Sequence, residues 1–557
     1  MANFNAAPNL WTLPLELVEI ISGFLSNRDI KSLRLTSSLV RNVVTLRLKR
    51  VFISSHPLDL KVLEEIVNHE QYRKGVVEMI WDDAVLRGPQ SMQSPEDYID
   101  SDYGCPKWYR MLTNIAIGVL SLSKKTDNGT IHTENLVHPP PEAMSLADSY
   151  SVYFDLALQQ RRTQASATDL EMFKYALDRF PNLFRITISR KTHGRLTMPF
   201  YETPTIRGFP HGFMYPPPFY FRLYHYNLDQ DSRFLWQDDP IEPKPKYNPP
   251  RRGLCAALRV LAKARTHSIA EFIVEDAVGL NHRPKFSEQE GYTFKDLIAL
   301  VQRPGFRRLD LPICLSFLQS VCKTLKKADS LQSLSLAGID RIRALEEQPL
   351  VYYETKAERR KRDLKSEDYL PVLSQFPVQQ LTNLTLEAVE LDKDRLVALL
   401  SSLTSLQSLE LRGVTYRNYG EDGIQRLLYI GQNHGELLSD LRDKTDWRGR
   451  TVIPKVTILL RDPNWAVGQM VRLDSDIDKF LYGHGENPFR LYNFAFITDR
   501  NMMSVDMAMH KLCKGKGTML DEYDPDYEQP DVGDSTLLAN RNSTGYWPRG
   551  KNLDGWT

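Results

Sequence analysis

Cysteine is scarce in this chain of 557 residues. The five present, Cys105, Cys255, Cys314, Cys322 and Cys513, are scattered and form no C-x-x-C pair. That excludes the usual zinc-ligand spacing, and an odd number in so long a chain points to a reducing compartment. Net charge is nearly absent too. The 71 basic residues balance 70 acidic ones, leaving a formal charge of +1, so no broad field draws the chain onto nucleic acid. No apolar run approaches the roughly 20 residues of a membrane-spanning helix. The opening residues lack the basic and then apolar pattern of a secretory leader. We therefore expect no nucleic-acid partner, no membrane insertion, and a cytoplasmic or nuclear location.

Catalytic motifs are equally sparse. There is no G-x-S-x-G elbow and no H-E-x-x-H helix. Lys514-Gly515-Lys516-Gly517-Thr518 lacks the spacing of a phosphate loop. Gly483-His484-Gly485-Glu486 sets an imidazole near a carboxylate, but its glycines read more simply as a tight turn. Asp97, Asp100 and Asp102 lie close together without the glycine and terminal glutamate of an EF-hand. The expectation is a protein that is not an enzyme and holds no metal or cofactor.

What is present is ordinary globular material, 42% hydrophobic and 25% charged, arranged in two patterns. The first runs from residue 9 to residue 53. Leu13, Leu17, Ile20, Ile21 and Phe24 repeat at helical spacing, and Pro14 suits a first helical turn. Asn27 and Asp29 can cap a second helix carrying Ile30 and Leu33. Ser37 or Ser38 can cap a third with Leu39, Val43 and Leu46. Leu13, Pro14, Val18, Ile21 and Leu25 widen the first stripe beyond one core-facing strip. Two readings follow: a plain helical start to a larger core, or a surface that another protein covers.

Leu13-Pro14-x-Glu16-Leu17-Val18, followed by Ile21, Leu25, Asp29, Leu33-Arg34 and Arg41, resembles an F-box. The chain departs from that pattern at Ser37-Ser38-Leu39-Val40. The resemblance implies docking to a Skp-type adaptor, and through it to a cullin ubiquitin ligase. The residues expected on the adaptor face are Leu13, Pro14, Leu17, Val18, Ile21 and Leu25.

The second pattern is a repeat. L-x-x-L-x-L units or close variants occur at Leu183–Ile188, Ile269–Val274, Phe306–Leu311, Leu331–Leu336, Leu381–Leu386 and Leu406–Leu411, most of them adjoining a helical stretch. The second leucine stands at 309, 334, 384 and 409, so the gaps are 25, 50 and 25. That period resembles leucine-rich repeats, whose units bury their apolar faces only by stacking. The Phe180-Pro181-Asn182-Leu183 turn and the stretch Asp474–Phe489 resemble segments of large fungal F-box proteins.

The expected fold is α/β: an N-terminal three-helix F-box followed by an irregular leucine-rich-repeat-like solenoid of strands and helices. The expected divisions are residues 9–53, the F-box; 54–190, helical and first repeat-like units; 191–250, an irregular insertion rich in proline and aromatics; 251–500, the repeat-like body with a charged insertion at 341–379; and 501–557, an irregular tail. The expected function is the substrate receptor of a Skp/cullin/F-box ligase, holding an unknown target protein on the repeat body. The alternative is a non-catalytic repeat scaffold outside any ligase.

Overall fold

The computed structural model describes residues 13–25, 27–44, 46–86, 99–124, 142–194, 196, 199–218, 252–264, 267–275, 288–313, 325, 328, 330–338, 380–387, 389–419, 425–426, 430–461, 469–489 and 518–521. The charged insertion at 341–379, most of the Pro/aromatic stretch and nearly all of the tail lie outside these residues. The fold is α/β, with a large and mostly parallel sheet flanked by many helices.

Three short helices open the described chain: α1 (Leu15–Gly23), α2 (Asn27–Thr36) and α3 (Ser38–Val43). The strands of the main sheet then follow in chain order. They are β1 (Arg50–Ser54), β2 (Glu78–Asp82), β3 (Arg185–Ser189), β4 (Glu271–Glu275), β5 (Arg308–Ile313) and β6 (Ser333–Gly338). After them come β7 (Asn383–Glu387), β8 (Ser408–Arg412), β9 (Lys455–Arg461), β10 (Gln469–Arg472) and β11 (Thr518–Asp521). Their spatial order is their chain order. Every pairing from β1 to β9 is parallel, while β10 and β11 add antiparallel at the far edge.

The register explains why these particular residues make strands. Val51, Met79, Ile186, Phe272, Leu309, Leu334, Leu384, Leu409 and Val456 pair one with the next in a single row across nine strands. Each is buried. Side chains alternate along a strand, so residues two further on, such as Leu336, Leu386, Leu411 and Ile458, form a second row on the same face. Both rows feed one continuous core, which also takes up Phe173, Leu258, Leu300, Leu400, Leu438 and Phe480 from the helices. Full burial of one such side chain stabilises by about 1.5–3 kcal/mol.

The other main helices are α4 (Pro57–Asn68), α5 (Glu70–Gly75), α6 (Lys107–Lys124), α7 (Leu146–Ser166), α8 (Thr168–Leu177), α9 (Pro204–Arg207), α10 (Arg252–Lys263), α11 (Glu288–Val301), α12 (Lys393–Ser402), α13 (Ile430–Lys444) and α14 (Asp474–Tyr482). Ala167, at φ 56°, separates α7 from α8. A second, aromatic core gathers Trp108, Tyr109 and Tyr153 with Phe213 and Tyr215, which places the first part of the Pro/aromatic stretch against the body.

The opposite face of the sheet begins as a ladder of alternating charge. Arg50, Glu78, Arg185, Glu271 and Arg308 are paired neighbours in one row. Ion pairs join Arg50 to Glu78 at 2.8 Å, Arg185 to Glu271 at 2.6 Å, and Arg307 to Glu271 at 2.8 Å. Burial alone would push the Glu78 carboxyl up; Arg50 and Arg185 on either side, with the Thr187 hydroxyl, hold it down to about 2.

Candidate functional site

The first three helices make a core from one valine or isoleucine at a time. Val18 of α1, Ile30 of α2, Val40 of α3 and Val44 are buried together. Leu13, Leu25, Leu33, Val43 and Leu46 pack around them, half-buried. Pro14 stands at the N-terminal end of α1, where its carbonyl accepts from the amides of Leu17 and Val18 at 3.0 and 3.2 Å. Arginines tie the helix ends: Arg34 donates to the carbonyl of Val44 at 3.1 Å, and Arg47 donates to those of Gly23, at 2.7 Å, and Leu25.

This small core uses one side of α1. The other side carries Leu17, Ile20, Ile21 and Phe24 at i, i+3, i+4 and i+7, and all four are exposed. Phe24 is 86% exposed, and Leu35 on α2 is 88% exposed. A folded chain rarely leaves so many large apolar side chains in water on one short unit.

The six residues expected on the adaptor face are therefore divided. Pro14, Leu17 and Ile21 lie on the surface. Val18 does not: it is in the core, because i+1 from Leu17 turns a side chain about a quarter of the way round the helix. Leu13 and Leu25 pack against that core from its rim. In the third helix the buried positions are Val40 and Val44, with Val43 and Leu46 only half-buried. The exposed face of α1 also includes Ile20 and Phe24, and Leu35 is separately exposed on α2. The helical stripe contained the first two, but the sequence does not say which side of it faces inward.

The other candidates come out as follows. His484 and Glu486 are exposed on the loop after α14, and no hydrogen bond or ion pair joins them. Asp97 lies outside the described residues. Asp100 contacts Arg110 at 3.5 Å and accepts from the Asp102 amide at 3.0 Å, as in a local turn. Among the described residues, no group of three or more His, Cys, Asp or Glu is arranged to hold a metal ion. Cys105 is buried and Cys255 half-buried.

One cluster had no signal in the sequence. At the C-terminal ends of β1 to β3, His193, Asp82 and Tyr215 are buried together. His193 Nδ1 hydrogen bonds with the Tyr215 hydroxyl at 3.0 Å, and its Nε2 stands 3.6 Å from Asp82. Burial drives all of these groups toward neutrality. The Asp82 carboxyl is pushed up to about 8, with Asp59 and Asp83 adding to the effect. His193 is pushed down to about 3 by burial and by nearby His56, which is itself pushed down to about 4. The cluster is closed off from solvent, so it acts within the fold.

No protein-family model matches the chain, and no curated protein matches it. No described helix is long and apolar enough to cross a membrane.

Proposed function

We propose that the protein is an intracellular, non-catalytic substrate receptor of a Skp/cullin/F-box ubiquitin ligase, acting in the cytoplasm or nucleus. In this reading α1 to α3 form the F-box and dock a Skp-type adaptor. The sheet-centred body is leucine-rich-repeat-like and holds the target protein. The cullin-bound enzyme then acts on that target because it is held nearby, which raises the effective concentration of its lysines. The observation that carries this is the apolar stripe of Leu17, Ile20, Ile21 and Phe24 on α1, with Leu35 exposed on α2, left uncovered on a helical unit that already has its own core.

The repeat-like reading of the body rests on the chain-order parallel strands and their aligned apolar rows. The alternative is a repeat scaffold that binds partners outside a ligase. The uncovered face favours the docking reading, since a mere folding cap would gain solubility from polar residues there.

Co-expression with a Skp-type adaptor tests the choice. The docking reading expects co-purification that Phe24→Ser with Leu35→Ser abolishes while the sheet stays folded. A folded wild-type chain that never co-purifies with the adaptor moves the reading to the scaffold.

A further inference from the structure

The loop from Gly483 to Glu486 has a setting that the docking face does not account for. It borders a cavity of about 530 Å³, lined by Arg442 and Asp443 at the end of α13, Arg448 and Ile453 on the turn into β9, and Tyr482 to Gly485 after α14. This lies near β9, well along the sheet from β1. The lining combines basic and apolar side chains. The lining includes Arg442, Arg448 and His484 and a single carboxylate, that of Asp443. Ile453 is half-exposed and stands beside the Tyr482 ring.

The basic lining is held in place before any ligand arrives. Arg448 donates through Nε to the carbonyl of Leu481 at 2.6 Å, and neither of its Nη groups has a partner among the described residues. The Arg442 guanidinium lies 4.4 Å from the centre of the Phe480 ring and is bonded by Asp443 through Nε and one Nη. The amides of Gly483 and Gly485 both donate to the Lys479 carbonyl, at 3.1 and 2.9 Å. A Cβ on Gly485 would lie 2.7 Å from that of Lys479, so the loop carrying His484 is pressed against the helix end in a way only glycine allows. The Tyr482 hydroxyl donates to the carbonyl of Pro454 and fixes the backbone next to Ile453.

We propose that this cavity binds a phosphate monoester carried on an apolar group. A guanidinium anchored through Nε presents its two remaining nitrogens as a planar fork, the geometry that pairs with phosphate oxygens. Two guanidiniums against one carboxylate leave the site positive, and His484 supplies a third donor direction. The volume far exceeds a phosphate, so the attached group lies against Ile453 and Tyr482. The phosphate can come from a phosphorylated side chain of a bound protein or from a free phosphomonoester. The inference does not depend on the adaptor reading, because the two sites share no residue.

Calorimetric titration of the full chain tests it with three probes: inorganic phosphate, phenyl phosphate, and an acetylated Val-phosphoserine-Val amide. Phenyl phosphate is expected to bind more tightly than inorganic phosphate, and Ile453→Ser is expected to remove that advantage without changing inorganic phosphate binding. Arg448→Gln is expected to weaken both by about tenfold or more, the usual loss for a hydrogen bond to a charged group. Because Arg448 also bonds to Leu481, His484→Gln serves as a second variant on an exposed side chain; it is expected to weaken both probes by a few-fold with an unchanged melting temperature. A peptide that binds at least as tightly as phenyl phosphate assigns the site to a phosphorylated protein segment, and a weaker one to a free phosphomonoester. Absence of binding by all three probes overturns the proposal, as does binding that survives both Arg448→Gln and His484→Gln.

Discussion

The two ends of the leucine inventory are used in opposite ways. In the sheet body, Leu309, Leu334, Leu384 and Leu409 line up in one buried row, and every neighbour is a partner for the next. In the helical unit the core is only Val18, Ile30, Val40 and Val44 with a half-buried rim, while Leu17, Ile20, Ile21, Phe24 and Leu35 stay in water. The same residue types thus serve cohesion in one region and display in the other. What separates them is register: a strand shows its faces alternately and repeats, whereas a short helix presents a wide stripe of which only part can be turned inward.

That contrast can be broken from either side. The largest effect is expected on the charged face of the sheet. Glu271 is buried between Arg185 and Arg307, so Glu271→Leu leaves Arg185 buried without its closest partner. Removing one member of a buried ion pair costs about 3–5 kcal/mol, to be read as a lowered denaturation midpoint. Leu334→Ala comes next, at about 2–5 kcal/mol from lost burial plus the cavity left behind. Phe24→Ser and Leu35→Ser are expected to change stability by less than about 0.5 kcal/mol, as exposed positions do. If they destabilised as much as Leu334→Ala, the face would be part of a core and the comparison would fail.

The buried cluster at β1 to β3 sharpens the picture through pH. The folded-state pKa of Asp82 is raised to about 8, so its contribution is complete at acid pH and is lost as pH rises toward 8. Asp59, also raised by burial, acts in the same direction. His193 and His56 are lowered, so the folded state loses stability as pH falls below about 6.5, where the unfolded imidazoles take up protons. Stability is therefore expected to decline from about pH 6.5 to 8, at up to about 1.4 kcal/mol per pH unit for Asp82 alone. Asp82→Asn should flatten that decline in chemical denaturation series. A slope that is unchanged in the variant would contradict the buried, protonated carboxyl.

Much of the sheet was legible in the sequence because a strand motif of fixed spacing carries its own register. The units at Ile269–Val274, Phe306–Leu311, Leu331–Leu336, Leu381–Leu386 and Leu406–Leu411 each overlap a strand that begins two residues in and runs one or two residues past the unit. The antiparallel edge strands β10 and β11 had no such motif, since a short strand at an edge needs no repeated leucine. The inward side of α1 was not legible either. Val18 and Leu17 are both apolar, and only the packing of Ile30, Val40 and Val44 decides which of them is covered. The His193 cluster joins residues more than a hundred positions apart, and nothing local announces it.

The central claim, that the first three helices display a docking face, is tested most directly by hydrogen exchange on the full chain with and without a purified Skp-type adaptor. The account predicts slowed exchange in residues 15–24 and 27–36 on adding adaptor, no change across β5 to β9, and loss of the effect in Phe24→Ser with Leu35→Ser. Unchanged exchange in the wild-type helices at saturating adaptor, or slowing confined to the sheet, would contradict it.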